Sequence, residues 1–169
     1  YSGATALFST YLSGADVALI PEVPFDMNNL AELAVKAKND NPSHYALVII
    51  SEGATELGGG IVQSGEADAF GHKKLGGVGQ VVNTSLQERT GSNTMYQQIG
   101  YLMRSGPPDA LDLMVASNFG NLAMDLVQAG DYGKMVALQG GRYVAVSASA
   151  PSAEARSVDV EAFYDIDTY

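Results

Sequence analysis

Tyr45-Ala46-Leu47-Val48-Ile49-Ile50-Ser51 is an apolar run bounded by Asn39-Asp40-Asn41-Pro42 before it and Glu52-Gly53 after it. A strand with one wet face alternates apolar and polar side chains, so an unbroken run reads as a strand covered on both faces, inside a parallel sheet. Upstream, Met27–Lys38 carries Leu30, Leu33, Ala34 and Ala37 on one helical stripe. Asp26 is placed to cap its first turn, and Lys36 and Lys38 suit its C-terminal dipole. Val17-Ala18-Leu19-Ile20 reads as a second buried strand closed by Pro21. Residues 3–14 read as a helix with Leu7, Tyr11 and Leu12 inward, Ala4 and Phe8 beside them, and Gly14 as its stop. Two helix–strand units in succession predict α/β layering.

Downstream, residues 53–77 hold six glycines from Gly53 to Gly71 and little periodicity, which predicts a long excursion of the kind that is functional or mobile more often than ordinary connections. A helix is expected over Val78–Arg89, ended by Gly91, then an extended segment over Thr94–Met103. Pro107-Pro108-Asp109 opens a helix over 109–129 with Leu111, Met114, Val115, Phe119, Leu122, Ala123 and Leu126 on one face and Gly130 just past its end. Lys134–Gln139 and Arg142–Ser147 flank Gly140-Gly141 as a two-residue β-hairpin. The expected architecture is a three-layer α/β/α Rossmann-like domain with a mainly parallel sheet. It would occupy residues 1–150, with 151–169 as a tail packing on the surface.

At 169 residues the chain suits one domain of roughly 100–200 residues. Its 46% hydrophobic and 17% charged composition argues against disorder. A formal charge of −10 with nine Lys plus Arg argues against a nucleic-acid surface, where cations must neutralise phosphates over an extended face. The absence of cysteine excludes disulfide scaffolds, thiol nucleophiles and Cys-based zinc sites. No apolar stretch reaches the ~18 residues of a membrane span, and Tyr1-Ser2-Gly3-Ala4 has no signal-peptide character. No membrane partner and a cytoplasmic location are therefore expected.

Cations are scarce, so Arg104 stands out in Ile99-Gly100-Tyr101-Leu102-Met103-Arg104-Ser105-Gly106-Pro107-Pro108-Asp109, at an expected strand-to-helix turn. A guanidinium fork matches phosphate or carboxylate oxygens, and the first orphan N–H groups of a helix add donors beside it. Tyr101 lies three positions earlier. The bland alternative is an ion pair of Arg104 with Asp109 or Asp112. Glu52 follows the buried strand at its carboxyl end, where open parallel sheets bind ligands, and Gly53 allows close approach. Such a carboxylate either accepts hydrogen bonds from sugar hydroxyls or merely leaves the sheet for solvent. His72-Lys73-Lys74 resembles a phosphate loop in composition but fits neither phosphate-loop spacing. Glu22 and His44 border apolar segments, and two unlinked histidines make no metal site.

In order, these pieces resemble the carboxyl-terminal, sugar-phosphate-binding half of the 6-phosphofructokinases, ATP- or pyrophosphate-dependent. Tyr1-Ser2-Gly3-Ala4-Thr5-Ala6-Leu7 matches the segment after the family's first arginine, Leu19-Ile20-Pro21-Glu22 its first strand end, and Ile50-Ser51-Glu52-Gly53 its second. Ile99 to Asp112 matches the final phosphate-binding motif, with Tyr101 in the Tyr-x-x-Arg form. The resemblance runs from Tyr1 to about Leu138.

The resemblance implies that Glu52 binds hydroxyls of fructose 6-phosphate and that Tyr101 and Arg104 hold its phosphate. It places Glu22 at an effector-site position. It also implies phosphoryl transfer from ATP or pyrophosphate to the 1-hydroxyl in glycolysis, with magnesium, in a dimeric or tetrameric homo-oligomer. The family's donor loop and general-base aspartate have no counterpart here, so the chain is expected to be a fragment lacking the N-terminal donor-binding half. Alone it would be inactive, with no catalytic residue and no metal of its own. The family's phosphate-binding arginine, donated across a subunit interface, falls at about Met95, where no cation stands and Arg89 is only a distant substitute. The basic effector residues are missing from Asn39–Tyr45, which argues against control by nucleotide diphosphate or phosphoenolpyruvate. The other reading is a non-catalytic sugar-phosphate-sensing or assembly module of the same fold.

Overall fold

The computed structural model describes residues 2–59, 63–67, 73–75, 77–150 and 157–169. They form two compact units, one of residues 1–98 with 156–169 and one of residues 99–155.

The first unit is built on two parallel strands, β1 (Val17–Leu19) and β2 (Val48–Ile50), paired Val17 with Val48 through Leu19 with Ile50. Side chains alternate across this pair. Val17 and Leu19, with Val48 and Ile50, pack against Met27, Leu30 and Ala31 of α2 (Met27–Asp40) and Val78, Val82 and Leu86 of α3 (Val78–Thr90). Ile49 and Ile20 turn the other way, toward Ala6 and Leu7 of α1 (Ala4–Ser13) and toward Val158, Val160 and Tyr164. Helices thus cover both faces, and the fold class is α/β with helix, strand and helix in layers. Each fully buried Leu or Ile here removes enough apolar surface from water to contribute about 1.5–3 kcal/mol.

Local chemistry explains the element ends. The Asp26 carboxylate accepts from the Asn29 N–H at 2.8 Å, capping α2 as its sequence predicts. Strand β2 is shorter than the apolar run that contains it, because Tyr45 and Leu47 stay exposed. The pairing still extends to Leu47, whose N–H donates to the Asp16 carboxylate at 2.7 Å and whose carbonyl accepts from the Asp16 N–H at 2.9 Å.

Helix α1 differs from its expected orientation. Its inward face is Gly3, Ala6 and part of Leu7, while Tyr11 and Leu12 face outward. Gly3 sets this: a Cβ there would lie 2.5 Å from the Ile20 Cβ, so only glycine lets the helix start seat on the sheet. That close approach turns the small-residue face inward and the bulkier stripe out.

The segment 157–169 carries the short helix α5 (Val160–Phe163) and threads back onto β1. The Tyr164 hydroxyl donates to the Ala18 carbonyl at 2.6 Å, the Ala18 N–H donates to the Tyr169 carbonyl at 3.1 Å, and the Asp26 N–H donates to the Tyr169 hydroxyl at 2.8 Å. These bonds satisfy backbone groups that a two-stranded pair leaves open. Strands β3 (Gln63–Ala67) and β4 (Lys73–Leu75) pair antiparallel within the glycine-rich excursion. Gly71, His72 and Gly76 of the cluster lie outside the described residues.

In the second unit, α4 (Ala110–Ala129) packs on a hairpin of β5 (Lys134–Gln139) and β6 (Arg142–Ser147). The pairing closes on Gln139 with Arg142, leaving Gly140-Gly141 as the two-residue turn that the sequence predicts. Val115, Phe119, Leu122, Ala123 and Leu126 form the half-buried stripe of α4, and Phe119 meets Tyr143 edge to face at 5.6 Å between ring centroids. The stretch read as extended over Thr94–Met103 is instead irregular to residue 99 and then a 3₁₀ turn over Gly100–Arg104. Gly100, at φ 52°, makes the bend that a continuous strand forbids.

Candidate functional site

Because β1 and β2 are parallel and in register, both chains leave the pair at the same end. Two carboxylates follow there, Glu22 three residues beyond Leu19 and Glu52 two beyond Ile50. The segments stay joined after the strands: Phe25 bridges to Glu56, with the Phe25 N–H donating to the Thr55 carbonyl at 3.0 Å and the Leu57 N–H to the Phe25 carbonyl at 2.8 Å. The end of the pair is therefore a fixed platform.

Glu22 is used by the fold. The Gly3 N–H donates to both of its carboxylate oxygens at 3.0 Å, and the Val158 N–H donates to Oε1 at 2.9 Å. Partial burial pushes this carboxyl up, but the N–H donors of Gly3 and Val158 outweigh it and hold it below its ordinary value. In this structure the carboxylate ties the start of α1, the end of β1 and the C-terminal segment together.

Glu52 is used differently. Its backbone is fixed by the Ser51 N–H donating to the Leu19 carbonyl and the Ala54 N–H donating to the Ser51 carbonyl, both at 2.9 Å. Gly53 and Ala54 are buried beneath it, while the Glu52 side chain is exposed. Its one described side-chain partner is Gln98, whose Nε2 donates to Oε1 at 3.4 Å. The carboxylate keeps acceptor capacity free for a ligand at the carboxyl end of a parallel pair.

Tyr101 and Arg104 stand in the second unit, on the 3₁₀ turn. The turn is held by the Leu102 N–H to the Ile99 carbonyl at 3.0 Å and by the Ser105 N–H and hydroxyl, both donating to the Leu102 carbonyl, at 3.2 and 2.9 Å. Residues three apart eclipse in a 3₁₀ turn, so positions 101 and 104 share one side of it. Tyr101 is 87% exposed and its hydroxyl is open to a ligand. Asp109 and Asp112 cap α4 reciprocally, Asp109 Oδ1 accepting from the Asp112 N–H at 2.8 Å and Asp112 Oδ2 from the Asp109 N–H at 3.2 Å.

Two other cations of the first unit are engaged within the fold. Arg89 donates from Nε to the Ser85 hydroxyl at 3.1 Å and from its guanidinium to the Asn28 amide oxygen, holding α3 against α2. Lys38 donates to the Ser92 hydroxyl at 3.1 Å. Met95 is 92% exposed. Among the described residues no group of three or more His, Asp or Glu side chains could hold a metal ion. Among the same residues no helix is long and apolar enough to cross a membrane. The contact of Gln98 with Glu52 has no local signal in the sequence, since the two residues lie 46 positions apart.

The family description Phosphofructokinase matches residues 1–127. The chain is 35% identical over its whole length to a pyrophosphate–fructose 6-phosphate 1-phosphotransferase of Amycolatopsis methanolica, of which it covers 49%. It is also 35% identical, over 83% of its length, to an ATP-dependent 6-phosphofructokinase of Mycobacterium leprae, of which it covers 41%. A Pichia pastoris phosphofructokinase crystallised in the T-state superposes on 86% of the chain with a TM-score of 0.60 at 23% identity, over 15% of that larger chain. By the family match over most of its residues, the chain belongs to the phosphofructokinase family. It spans about half the length of the curated relatives it matches.

Proposed function

We propose that this chain is the fructose 6-phosphate-binding part of a 6-phosphofructokinase. The full enzyme transfers a phosphoryl group from ATP or pyrophosphate to the sugar's 1-hydroxyl, in the cytoplasm and as a homo-oligomer. The observation that carries this reading is Glu52, fixed at the carboxyl end of β2 with acceptor capacity facing solvent, in a chain whose relatives are named for fructose 6-phosphate chemistry.

In the transfer, the bond from the donor's terminal phosphorus to its bridging oxygen breaks, and a bond from the sugar O1 to that phosphorus forms. The donor leaves as ADP or inorganic phosphate, and the hydroxyl proton goes to a base. Catalysis of this kind is positioning plus charge neutralisation. In our reading the residues of this chain do the positioning. Glu52 accepts from sugar hydroxyls, and Tyr101 and Arg104 take the 6-phosphate, the phenol as a single donor and the guanidinium as a fork. Donor binding, magnesium and the proton acceptor belong to the part of the enzyme outside this chain. Magnesium there neutralises charge on the donor phosphates.

The test is a coupled assay of the protein expressed from its whole reading frame, with fructose 6-phosphate and either ATP or pyrophosphate. Fructose 1,6-bisphosphate formation with one donor supports the reading. Tight fructose 6-phosphate binding without turnover on either donor favours the sensing module instead.

A further inference from the structure

The segment between α3 and the 3₁₀ turn is laid along α3 by alternate residues. The Thr94 hydroxyl donates to the Asn83 carbonyl at 3.5 Å. Two residues on, the Tyr96 ring lies against Gly79 so closely that a Cβ on Gly79 would come 2.5 Å from Tyr96 Cε2. Two residues further, Gln98 reaches the Glu52 carboxylate, with Nε2 3.4 Å from Oε1. The two contacts with α3 hold the segment that carries Gln98.

We propose that Gln98 is a second hydroxyl-binding residue of the sugar site, acting with Glu52 to read the orientation of neighbouring sugar hydroxyls. This rests on the reading of Glu52 given under Proposed function. An ionised carboxylate only accepts hydrogen bonds, so by itself it engages the proton of a hydroxyl and never its oxygen. An amide offers both. With one N–H on Glu52, Gln98 keeps a second N–H and its carbonyl for the ligand. The pair thus presents acceptor, donor and acceptor in a row, which matches two adjacent hydroxyls that each give a proton, one of them also accepting the remaining N–H. A hydroxyl epimerised at either carbon leaves one of these polar groups unmatched, which is the arrangement by which a site rejects an analogue. Both side chains are exposed, so water softens the rejection.

The test is steady-state kinetics of the protein expressed from its whole reading frame, with Gln98→Leu, Glu52→Ala and the double variant. Substrates are fructose 6-phosphate and its epimers at the ring hydroxyls. Gln98→Leu is expected to raise KM for fructose 6-phosphate about 3–10-fold, the scale of one or two exposed hydrogen bonds. The donor KM and kcat should hardly change, and the preference over at least one epimer should fall. The double variant should lose less than the product of the single losses, because the two side chains act together. An unchanged KM and unchanged epimer preference in Gln98→Leu, with KM raised in Glu52→Ala, would overturn the role of Gln98 while leaving Glu52 in place. If Glu52→Ala also leaves KM unchanged, the reading of Glu52 fails and Gln98 falls with it.

Discussion

The backbone N–H of Gly3 donates to both carboxylate oxygens of Glu22 at 3.0 Å. The same glycine, lacking a Cβ, seats against Ile20. One residue thus brings α1 onto the sheet and captures the carboxylate beyond β1, and the Val158 N–H completes the clasp at 2.9 Å.

The pH consequence follows from the direction of the Glu22 shift. Burial raises this carboxyl and the backbone donors outweigh that rise, leaving the folded value below the unfolded one. Its stabilisation is therefore fully present above the ordinary glutamate value of about 4.3 and is lost as pH falls through the lower folded value. Glu22→Ala should lower stability at pH 7 by about 1–3 kcal/mol and make the acid limb shallower. Denaturant unfolding from pH 7 down to the acid limb, wild type against variant, measures both.

At alkaline pH the relevant group is Tyr164. Burial, followed by the neighbouring Tyr169 and Asp165, pushes its hydroxyl well up, and that hydroxyl donates to the Ala18 carbonyl at 2.6 Å. The neutral form is the one the fold holds. Its contribution is complete below the ordinary tyrosine value of about 10 and is lost as pH rises through the raised folded value. Tyr164→Phe should cost about 0.5–1.5 kcal/mol at pH 7 and reduce the loss of stability above pH ~10. Unfolding midpoints across that range test this, with hydrogen exchange at the Ala18 amide reporting whether segment 157–169 has come away.

Much of the fold was legible because its signals are local. Asp26, Asp109 and the Gly140-Gly141 turn each act within a few residues, and each sits where its sequence context predicts. What was not legible depends on partners far along the chain. Tyr11 and Leu12 form an apolar stripe as good as the true one, and only the contact of Gly3 with Ile20 selects the other face. The stretch before Arg104 has strand-like composition, yet Tyr96 is fixed by Gly79 and Gly100 bends the chain. The place of Glu52 after a buried strand was legible. The contact of Gln98 with it was not, since it joins side chains 46 positions apart.

Gly79 makes a second stability prediction. A methyl group added there overlaps the Tyr96 ring, and overpacking of this kind costs about 1–3 kcal/mol. Gly79→Ala should be destabilising by that amount, and Tyr96→Ala in the same chain should recover part of it. Thermal or urea unfolding of the single and double variants measures the coupling; simple additivity would mean that the two residues do not meet.

The reciprocal cap of α4 predicts a smaller effect. Asp109→Ala removes the acceptor for the Asp112 N–H and should cost about 0.5–2 kcal/mol, while Asp109→Asn should cost less. Helical circular dichroism through a denaturant titration follows it.

The central claim is that Arg104 and Tyr101 hold the phosphate of the substrate while Glu52 holds its hydroxyls. Calorimetric titration of the protein expressed from its whole reading frame, with fructose 6-phosphate and with unphosphorylated fructose, tests this most directly. The account predicts that Arg104→Ala sharply narrows the preference for the phosphorylated sugar, whereas Glu52→Ala weakens binding of both ligands and leaves that preference standing. Full retention of the phosphate preference in Arg104→Ala would contradict it.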